Sequence, residues 1–447
     1  MFNFNRYLFL LLFMLCFISE SKAGTVFSFA KNSSLKADSE YLEFFVKSYE
    51  KDAIFKLNTA IGYDITVNNQ LKTAQKGTVS YIVTTPKGEK VTENSIPVDA
   101  KPSSVNKYTF KIPGQKTGVY NVSFMINVSE YDDTVRKAFC VNPQAIQSEH
   151  PKPADFDAFW DNAKKELSAI DPNFRITEHP EMESKEPRYK GIQVYLIEMQ
   201  SLYDVPIRGW MTITRDRKPK EKFPVWLILP GYQRSLYPVF GPRDMVIITL
   251  NVRGQGNSKD VINVPVDDFL TTNIEDREKY VMRGAIMDCV RMVDYICSNP
   301  SLDSTKILCA GGSMGAYLAI TLASLDHRLL LLNANNPVFC DFRDLPNKDW
   351  PRRDIELYAQ KNDYPLESIL KNLDYYDLKN FTNKLAAKSI LAISLLDNLA
   401  PPHNEFTMLN NIPRNYKLFV YPDMGHEVPP PLFTYLSSWM MDEFGIF

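Results

Sequence analysis

A serine flanked by glycines lies where a predicted strand runs into a predicted helix. Residues 306–310 form an apolar strand segment, residues 311–315 are Gly-Gly-Ser-Met-Gly, and residues 316–320 begin a helical segment. A G-x-S-x-G turn in this setting holds its serine in a strained conformation that projects the hydroxyl, and its glycines let the backbones approach closely. The amides at the helix N-terminus favour an oxyanion at the same point. We therefore predict that Ser313 is a nucleophile.

A serine hydroxyl is a weak nucleophile and needs a base, which a carboxylate must orient. In this arrangement the acid and then the histidine follow the serine along the chain, each on a loop after a strand. Asp397 follows the predicted strand 389–396, and His426 follows the predicted strand 416–421. Asp423 is the rival acid, but it lies only three residues before the histidine on the same loop. We predict that Asp397 orients His426.

The other four histidines fit the role of base less well. His150 and His179 precede the serine in the chain, His327 lies at a predicted solvated corner, and His403 starts a helix after Pro402. None of them follows a strand in the position that the base requires. His426 remains the predicted base.

An oxyanion formed by attack of the serine needs two converging backbone N–H groups. We predict that Met314, directly after the nucleophile, supplies one of them. Tyr232, in the Pro-Gly-Tyr-Gln loop at 230–233, is the candidate for the other, and its ring could form a wall of the acyl pocket. An ordinary Pro-Gly turn is the alternative interpretation of this loop.

The elements that must position these residues fall into two groups. From about residue 25 to residue 142, apolar and polar residues alternate, as in 108–112 and 120–128, and turn signals separate the segments. This pattern predicts an immunoglobulin-like β-sandwich over residues 24–142 as an accessory domain. A polar, proline-containing connection at 143–153 leads out of it.

From residue 143 to 447 the pattern changes to solid apolar strands separated by helices. The predicted strands are 223–229, 245–250, 306–310, 329–332, 389–396 and 416–421, and a long helix is predicted at 275–297. Such strands are typical of a parallel sheet covered on both faces. We predict a doubly wound α/β catalytic domain that binds its ligand beyond the carboxyl ends of the strands.

The composition excludes several classes of protein. The chain has 447 residues, enough for two or three domains, and its 51 basic and 53 acidic side chains give a formal net charge of −2. A nucleic-acid partner is not expected, because it requires a clustered positive field. With 45% hydrophobic residues, the chain is too apolar to be disordered.

Residues 1–23 have the pattern of an export signal. Arg6 precedes a twelve-residue apolar run at 7–18, and small residues stand at Ser21 and Ala23. The run is too short to span a bilayer, which needs ~20 apolar residues. We predict cleavage after Ala23 and an exported protein, periplasmic or extracellular, without stable membrane insertion.

Neither cysteines nor histidines form a metal-binding pattern. The five cysteines outside the signal lack C-x-x-C spacing, and no H-x-H or H-E-x-x-H motif occurs. Cys289 and Cys297 in the predicted helix and Cys309 in a predicted strand are interpreted as small buried hydrophobic residues. We expect no metal and no cofactor.

The C-terminal two-thirds of the chain, about residues 151–447, resembles the acetyl xylan esterase and cephalosporin C deacetylase family of α/β-hydrolases. The resemblance is carried by segments that occur in the same order as in the family. They are the opening helix at 153–160, the Pro-Gly-Tyr loop at 230–232, Arg-Gly-Gln at 253–255, Gly-Gly-Ser-Met-Gly at 311–315 and Gly-His-Glu at 425–427, with supporting stretches at 283–291 and 375–380. The spacing between Arg-Gly-Gln and His-Glu makes this resemblance specific.

The resemblance implies removal of acetyl groups from acetylated oligosaccharides or small acetyl esters. It assigns Ser313, Asp397 and His426 as a catalytic triad and Tyr232 and Met314 as oxyanion donors. By the same resemblance, Arg253 and Gln255 brace loops near the site. Met314 stands where the family usually has Gln, Ala316 where it has Gly, and Arg234-Ser235 where it has a Gly pair.

Two other functions stay open. A serine peptidase of the prolyl-oligopeptidase type shares the α/β module, although about 120 residues of sandwich are too few for its propeller. A non-catalytic carbohydrate-binding protein, with the sandwich as the working part, is the other. Because the sandwich is extra to compact members of the family, their assembly does not transfer, and a homo-oligomer is left open.

Overall fold

The computed structural model describes residues 41–262, 266–346, 348–413 and 416–446. The described chain divides into two compact units after Ile146, whereas the sequence predicts a domain boundary after residue 142. The predicted export signal at 1–23 lies outside the described residues.

The N-terminal unit is built from eight described strands in two sheets. Their bounds are β1 (Leu42–Ser48), β2 (Ile54–Phe55), β3 (Ile61–Asn69), β4 (Gln75–Thr84), β5 (Lys90–Ala100), β6 (Ser104–Ile112), β7 (Gly118–Val128) and β8 (Tyr131–Val141). One sheet has the order β1-β3-β6 and the other β2-β8-β7-β4-β5. All pairs are antiparallel except β2 with β8.

Aromatic side chains from the two sheets meet in the core of this unit. The ring centroid of Tyr63 lies 4.8 Å from that of Phe124, and Tyr81 lies 5.0 Å from Phe110. These side chains are buried because every second residue of a strand faces the partner sheet. The predicted β-sandwich is confirmed.

The C-terminal unit contains a nine-stranded sheet and seven described α-helices. The strands are β9 (Arg175–Glu178), β10 (Ile192–Ser201), β11 (Val205–Thr214), β12 (Phe223–Ile228), β13 (Val246–Asn251), β14 (Leu302–Gly312), β15 (Leu331–Asn335), β16 (Lys388–Ser394) and β17 (Tyr416–Tyr421). The helices are α1 (Phe156–Ser168), α2 (Val281–Ser298), α3 (Met314–Leu325), α4 (Arg352–Lys361), α5 (Leu366–Leu373), α6 (Pro402–Leu409) and α7 (Pro430–Phe444).

The sheet has the order β17-β16-β15-β14-β12-β13-β11-β10-β9. The six strands from β12 to β17 are parallel, and every residue of β12 and β13 is buried, as expected for a sheet covered on both faces. The predicted α/β class is confirmed, but the sheet is mixed, because β9, β10 and β11 are antiparallel. Only Leu202–Asp204 separates β10 from β11, and so short a connection permits a hairpin but no crossover helix.

Two local predictions were wrong in the long helix. α2 begins at Val281 rather than at 275, since Asp276 Oδ1 accepts the amide of Glu278 and holds the preceding residues in a turn. Cys297, predicted as buried, is exposed in the last turn of α2, whereas Cys289 and Cys309 are buried.

Candidate active site

Ser313 lies at the sharp turn between β14 and α3. Its backbone has φ 58° and ψ −124°, a conformation that non-glycine residues rarely adopt. The turn is crowded: a Cβ atom on Gly311 would lie 2.4 Å from the Gly315 carbonyl carbon, and one on Gly315 would lie 2.5 Å from the Leu229 oxygen. Both glycines are therefore required by close backbone approach, as the motif predicts.

Asp397 and His426 are brought together although 29 residues separate them. The Nδ1 atom of His426 lies 2.6 Å from Oδ2 of Asp397. The other carboxylate oxygen, Oδ1, accepts the amides of Leu399 and Ala400 at 2.8 Å each, which fixes the carboxylate plane. The Asp397 side chain is fully buried and that of His426 is 23% exposed. Asp423, the rival acid, is exposed on the histidine loop.

The parallel sheet places the three side chains at one edge. Ser313 follows β14, Asp397 follows β16 and His426 follows β17, and these strands are linked through β15. Carboxyl ends of parallel strands meet at the same edge of a sheet, where such folds place their ligand sites. The three residues predicted as a triad thus follow neighbouring strands of the same sheet, and the structure brings Asp397 and His426 into direct contact.

The histidine loop is tied to β15 and β16 by bonds that the sequence did not reveal. The carbonyl oxygen of Glu427 accepts from Asn336 Nδ2 at 3.1 Å and from Ser394 Oγ at 2.7 Å. The amide of Leu396 donates to the Met424 oxygen at 3.0 Å. Asn336 directly follows β15, and the last residue of β15, Asn335, accepts the Ser313 amide through its carbonyl oxygen. The end of this strand therefore contacts both the serine turn and the histidine loop.

The predicted oxyanion residues follow two adjacent strands of the sheet, β12 and β14. Met314 is fully buried at the start of α3, and Tyr232 lies in the loop after β12, the strand that pairs with β14 on the side opposite β15. Gln255 is buried beside this loop. With its amide nitrogen turned toward them, it donates to the carbonyl oxygens of Gly231 at 3.1 Å and Arg234 at 3.2 Å. Gln255 therefore holds the segment that carries the Tyr232 amide.

Arg253 is buried in an ion pair with a residue of the long helix. Its guanidinium donates to both carboxylate oxygens of Asp288, at 2.7 and 3.0 Å, and its own amide also donates to this carboxylate. A Cβ on Gly284 would lie 2.2 Å from a guanidinium nitrogen, so only glycine leaves room for the arginine. The contact ties the loop after β13 to α2.

Aromatic rings from two loops meet beside the predicted oxyanion segment. The Tyr232 ring centroid lies 5.2 Å from that of Trp350 and 6.0 Å from that of Phe269, and Phe339 lies 5.5 Å from Trp350. Trp350 lies in the segment between β15 and α4, which the sequence analysis did not assign. One signal could have indicated this segment: it follows β15, and β15 lies next to β14, the strand that leads to Ser313.

Glu405 is a fully buried carboxyl group near Asp397, and the sequence analysis also missed it. It lies in the first turn of α6, and neither of its carboxyl oxygens has a hydrogen-bond partner within the described residues. Burial raises the pKa of Glu405 well above its usual range, and the charge of Asp397 raises it further. Lys379, in a turn packed against α6, donates instead to Asp341 and Asp377. Burial without a hydrogen-bonding or charged partner therefore favours the uncharged form of Glu405 in the folded protein.

Replacing this group by its uncharged amide, Glu405→Gln, is expected to stabilise the protein increasingly as pH rises. The folded state retains the Glu405 proton to higher pH than the unfolded chain, which releases it near pH 4.5. Because the folded-state pKa of Glu405 is raised, its uncharged form contributes fully to the stability of the protein below the unfolded-state pKa. This contribution is lost as the pH rises from there toward the folded-state pKa. The advantage of the variant should grow by up to about 1.4 kcal/mol per pH unit until Glu405 ionises in the folded state.

Urea unfolding at pH 5 and pH 8 measures this effect. All five tryptophans lie after residue 146, so their fluorescence reports on the C-terminal unit. Glu186→Gln, at an exposed glutamate, is the matched control and should show no such growth. Parallel stability curves for wild type and Glu405→Gln would contradict the prediction.

No described group of three or more His, Cys, Asp or Glu side chains is arranged to hold a metal ion. Among the helices of the described ranges, none has the length and apolar character needed to cross a membrane.

Comparison with known proteins gives concordant matches to acetyl esterases. A family model described as acetyl xylan esterase (AXE1) matches residues 143–442. Acetyl esterase Axe7A of Xylanibacter ruminicola is 26% identical over 337 residues, covering 70% of this chain and 71% of that protein.

Two solved structures share the fold over about two thirds of the chain. An acetyl xylan esterase from Paenibacillus sp. R4 is 25% identical with a TM-score of 0.60, covering 67% of this chain and 98% of that one. Acetyl xylan esterase 1 from a Thermoanaerobacterium species is 20% identical with a TM-score of 0.59, covering 67% and 97%. The second similarity concerns the fold alone.

Proposed function

Because the chain belongs to the acetyl xylan esterase family and is a carboxylic ester hydrolase, we propose that it deacetylates acetylated carbohydrates through an acyl-enzyme. Ser313 supplies the nucleophile, His426 the general base and Asp397 the carboxylate that orients the base. Tyr232 and Met314 supply the amides of the oxyanion hole, and Arg253 and Gln255 brace the adjoining loops.

The first half of the reaction transfers the acetyl group to the enzyme. His426 Nε2 takes the Ser313 proton as Oγ bonds to the acetyl carbonyl carbon, and the two amides hold the resulting oxyanion. The tetrahedral intermediate collapses by breaking the bond to the sugar oxygen, which receives the proton from His426. The products are a free sugar hydroxyl and acetyl-Ser313.

The second half uses water in place of the serine. His426 takes a proton from water, whose oxygen attacks the acetyl carbon, and the proton returns to Oγ when the acyl bond breaks. Acetate is released and the serine is regenerated. No metal or cofactor takes part in this sequence.

The contact between Asp397 and His426 carries the proposal. With Nδ1 donating to the carboxylate, Nε2 is the basic atom of the neutral ring, as a general base requires. Since two amides already engage the other carboxylate oxygen, the acid is held in one orientation before substrate arrives. The strained backbone at Ser313 supports the same assignment.

Acetate release from a panel of acetylated xylo-, manno- and cello-oligosaccharides tests the proposal, with peptide amides assayed in parallel. The proposal predicts turnover of acetyl esters and none of peptide amides. Preferential cleavage of prolyl peptides would favour a peptidase instead. Binding without turnover of any ester would favour a non-catalytic carbohydrate-binding protein.

We also propose that the protein is exported, with residues 1–23 removed. The support is the charged, apolar and small-residue pattern of that segment. Mass spectrometry of the protein recovered from its native compartment should give a chain that begins at Gly24, and a retained Met1 in an intracellular fraction would contradict the proposal.

A further inference from the structure

The N-terminal unit exposes aromatic side chains along one strand. Tyr41, Phe45 and Tyr49 are 46%, 56% and 52% exposed, and they succeed one another at four-residue intervals in and beside β1. Because successive side chains of a strand point to opposite faces, residues four apart share a face. Leu42 and Phe44 point to the other face and are buried in the core. Here this outer side of the sheet β1-β3-β6 is called the aromatic face.

The position of the Tyr49 ring is fixed by a glycine. The amide of Tyr49 donates to the Gly62 oxygen on the neighbouring strand β3 at 3.0 Å. A Cβ atom on Gly62 would lie only 2.3 Å from Cδ2 of the tyrosine ring. The ring therefore rests on the backbone of β3, and the residue as a whole remains exposed to solvent.

Polar side chains stand between and beside these rings. The strand register places Phe45 opposite Thr66, and Thr66 opposite Lys107. Two further pairs on the aromatic face are hydrogen-bonded: Asn68 Nδ2 donates to Glu43 at 2.6 Å, and Thr109 Oγ1 donates to Asp64 at 3.0 Å. Hydrogen-bonding groups are thus held in place along the row of aromatic rings.

The charges of the aromatic face nearly balance. Glu43 and Asp64 supply negative charge, and Lys47, Lys107 and Lys111 supply positive charge. A polyanion or an anionic membrane requires a clustered positive field, which such a mixture does not create. The surface instead combines flat apolar rings with amide, hydroxyl and carboxylate groups, the partners that suit the C–H face and the hydroxyls of a neutral sugar.

The length of the row indicates a chain rather than a single sugar. Eight residue steps along β1 lead from Tyr41 to Tyr49, which in extended backbone corresponds to about 27 Å. That distance exceeds a single sugar ring several-fold. We propose that the aromatic face binds an extended neutral polysaccharide, the acetylated chain on which the C-terminal unit acts. The identity of this polysaccharide rests on the proposed function.

Binding to insoluble acetylated xylan tests the proposal with the full chain. Ser313→Ala is used as the background so that the polymer is not consumed, and free protein is measured after sedimentation of the polymer. The Phe45→Ala/Tyr49→Ala variant should bind about tenfold more weakly or worse, since each lost ring removes a large contact area. Gly62→Ala should also weaken binding, because it displaces the Tyr49 ring while keeping it present.

Leu57→Ala is the matched control. It removes an exposed apolar side chain of the same unit outside the aromatic face, and it should bind as the parent does. Circular dichroism and thermal unfolding exclude variants that fail to fold. In the wild-type background, the aromatic-face variants should keep full turnover of p-nitrophenyl acetate.

The outcomes separate this proposal from the proposed function. Equal affinity of folded aromatic-face variants and parent for xylan would overturn the proposal. So would a concentration-dependent dimer, seen by sedimentation and abolished by the double variant, since a second copy would then cover the face. Absence of acetate release from any soluble oligosaccharide would contradict the proposed function, whereas weakened polymer binding by the variants would still support a polysaccharide site.

Discussion

Ser313→Ala is expected to lower kcat for p-nitrophenyl acetate by about 10⁵- to 10⁶-fold. The variant has no hydroxyl to bond to the acetyl carbon, so the acyl-enzyme cannot form. The oxyanion amides and substrate binding remain, and they should leave a rate above that of the reaction in water. The measurement is steady-state turnover together with detection of acetyl-enzyme by mass spectrometry after rapid acid quench.

The fold of Ser313→Ala should be preserved, since alanine meets the same backbone restriction at φ 58° as serine. Ser324→Ala is the matched control: its buried hydroxyl lies at the other end of α3 and bonds to the Ile320 oxygen, and turnover should stay within about twofold. Near-normal turnover by Ser313→Ala, or an acetyl group on another residue, would refute the assignment of the nucleophile.

Asp397→Asn is expected to lower kcat by about 10⁴-fold with little change of structure. The amides of Leu399 and Ala400 would still find an oxygen on the asparagine. Its amide nitrogen would then face Nδ1 of His426 and require that atom to accept a hydrogen bond. The ring proton would move to Nε2, which could no longer take the serine proton.

Asp423→Asn is the control for this second prediction, because it changes an exposed aspartate on the loop that carries His426. Its kcat should fall no more than a few-fold. If Asp423→Asn abolished turnover while Asp397→Asn remained active, the acid of the triad would be Asp423. Turnover rates measured between pH 5 and pH 9 for both variants would show whether lost turnover comes from a changed general base or from unfolding of the variant.

The backbone at the nucleophile was predictable because its causes are short-range. Gly311, Ser313 and Gly315 lie within five residues, and steric crowding at the strand-to-helix turn determines both the glycines and the strained serine. The parallel part of the sheet was predictable for a similar reason, because a run of consecutive apolar residues by itself indicates a strand that is buried on both faces. The hairpin β10-β11 was not predicted, because the local pattern of apolar residues did not specify how its strands pair.

The electrostatic character of the site depended on contacts between distant residues. Neither the burial of Glu405 near Asp397 nor the bond from Asn336 to Glu427, 91 residues away, has a sequence motif. The same holds for the Tyr49 ring above Gly62, which depends on the register of β1 and β3. Strand order and register arise from packing of the whole core, so they cannot be inferred from neighbouring residues alone.

The amino-acid sequence by itself determined which residues could perform the chemistry and at which strand ends they lie. Residue type and local backbone sterics are sufficient for that. Only the tertiary structure decided that Asp397 rather than Asp423 contacts His426, which carboxyl group is buried without a partner, and which rings remain open to solvent. Those properties depend on distance and burial, and both are produced by long-range packing of the sheets.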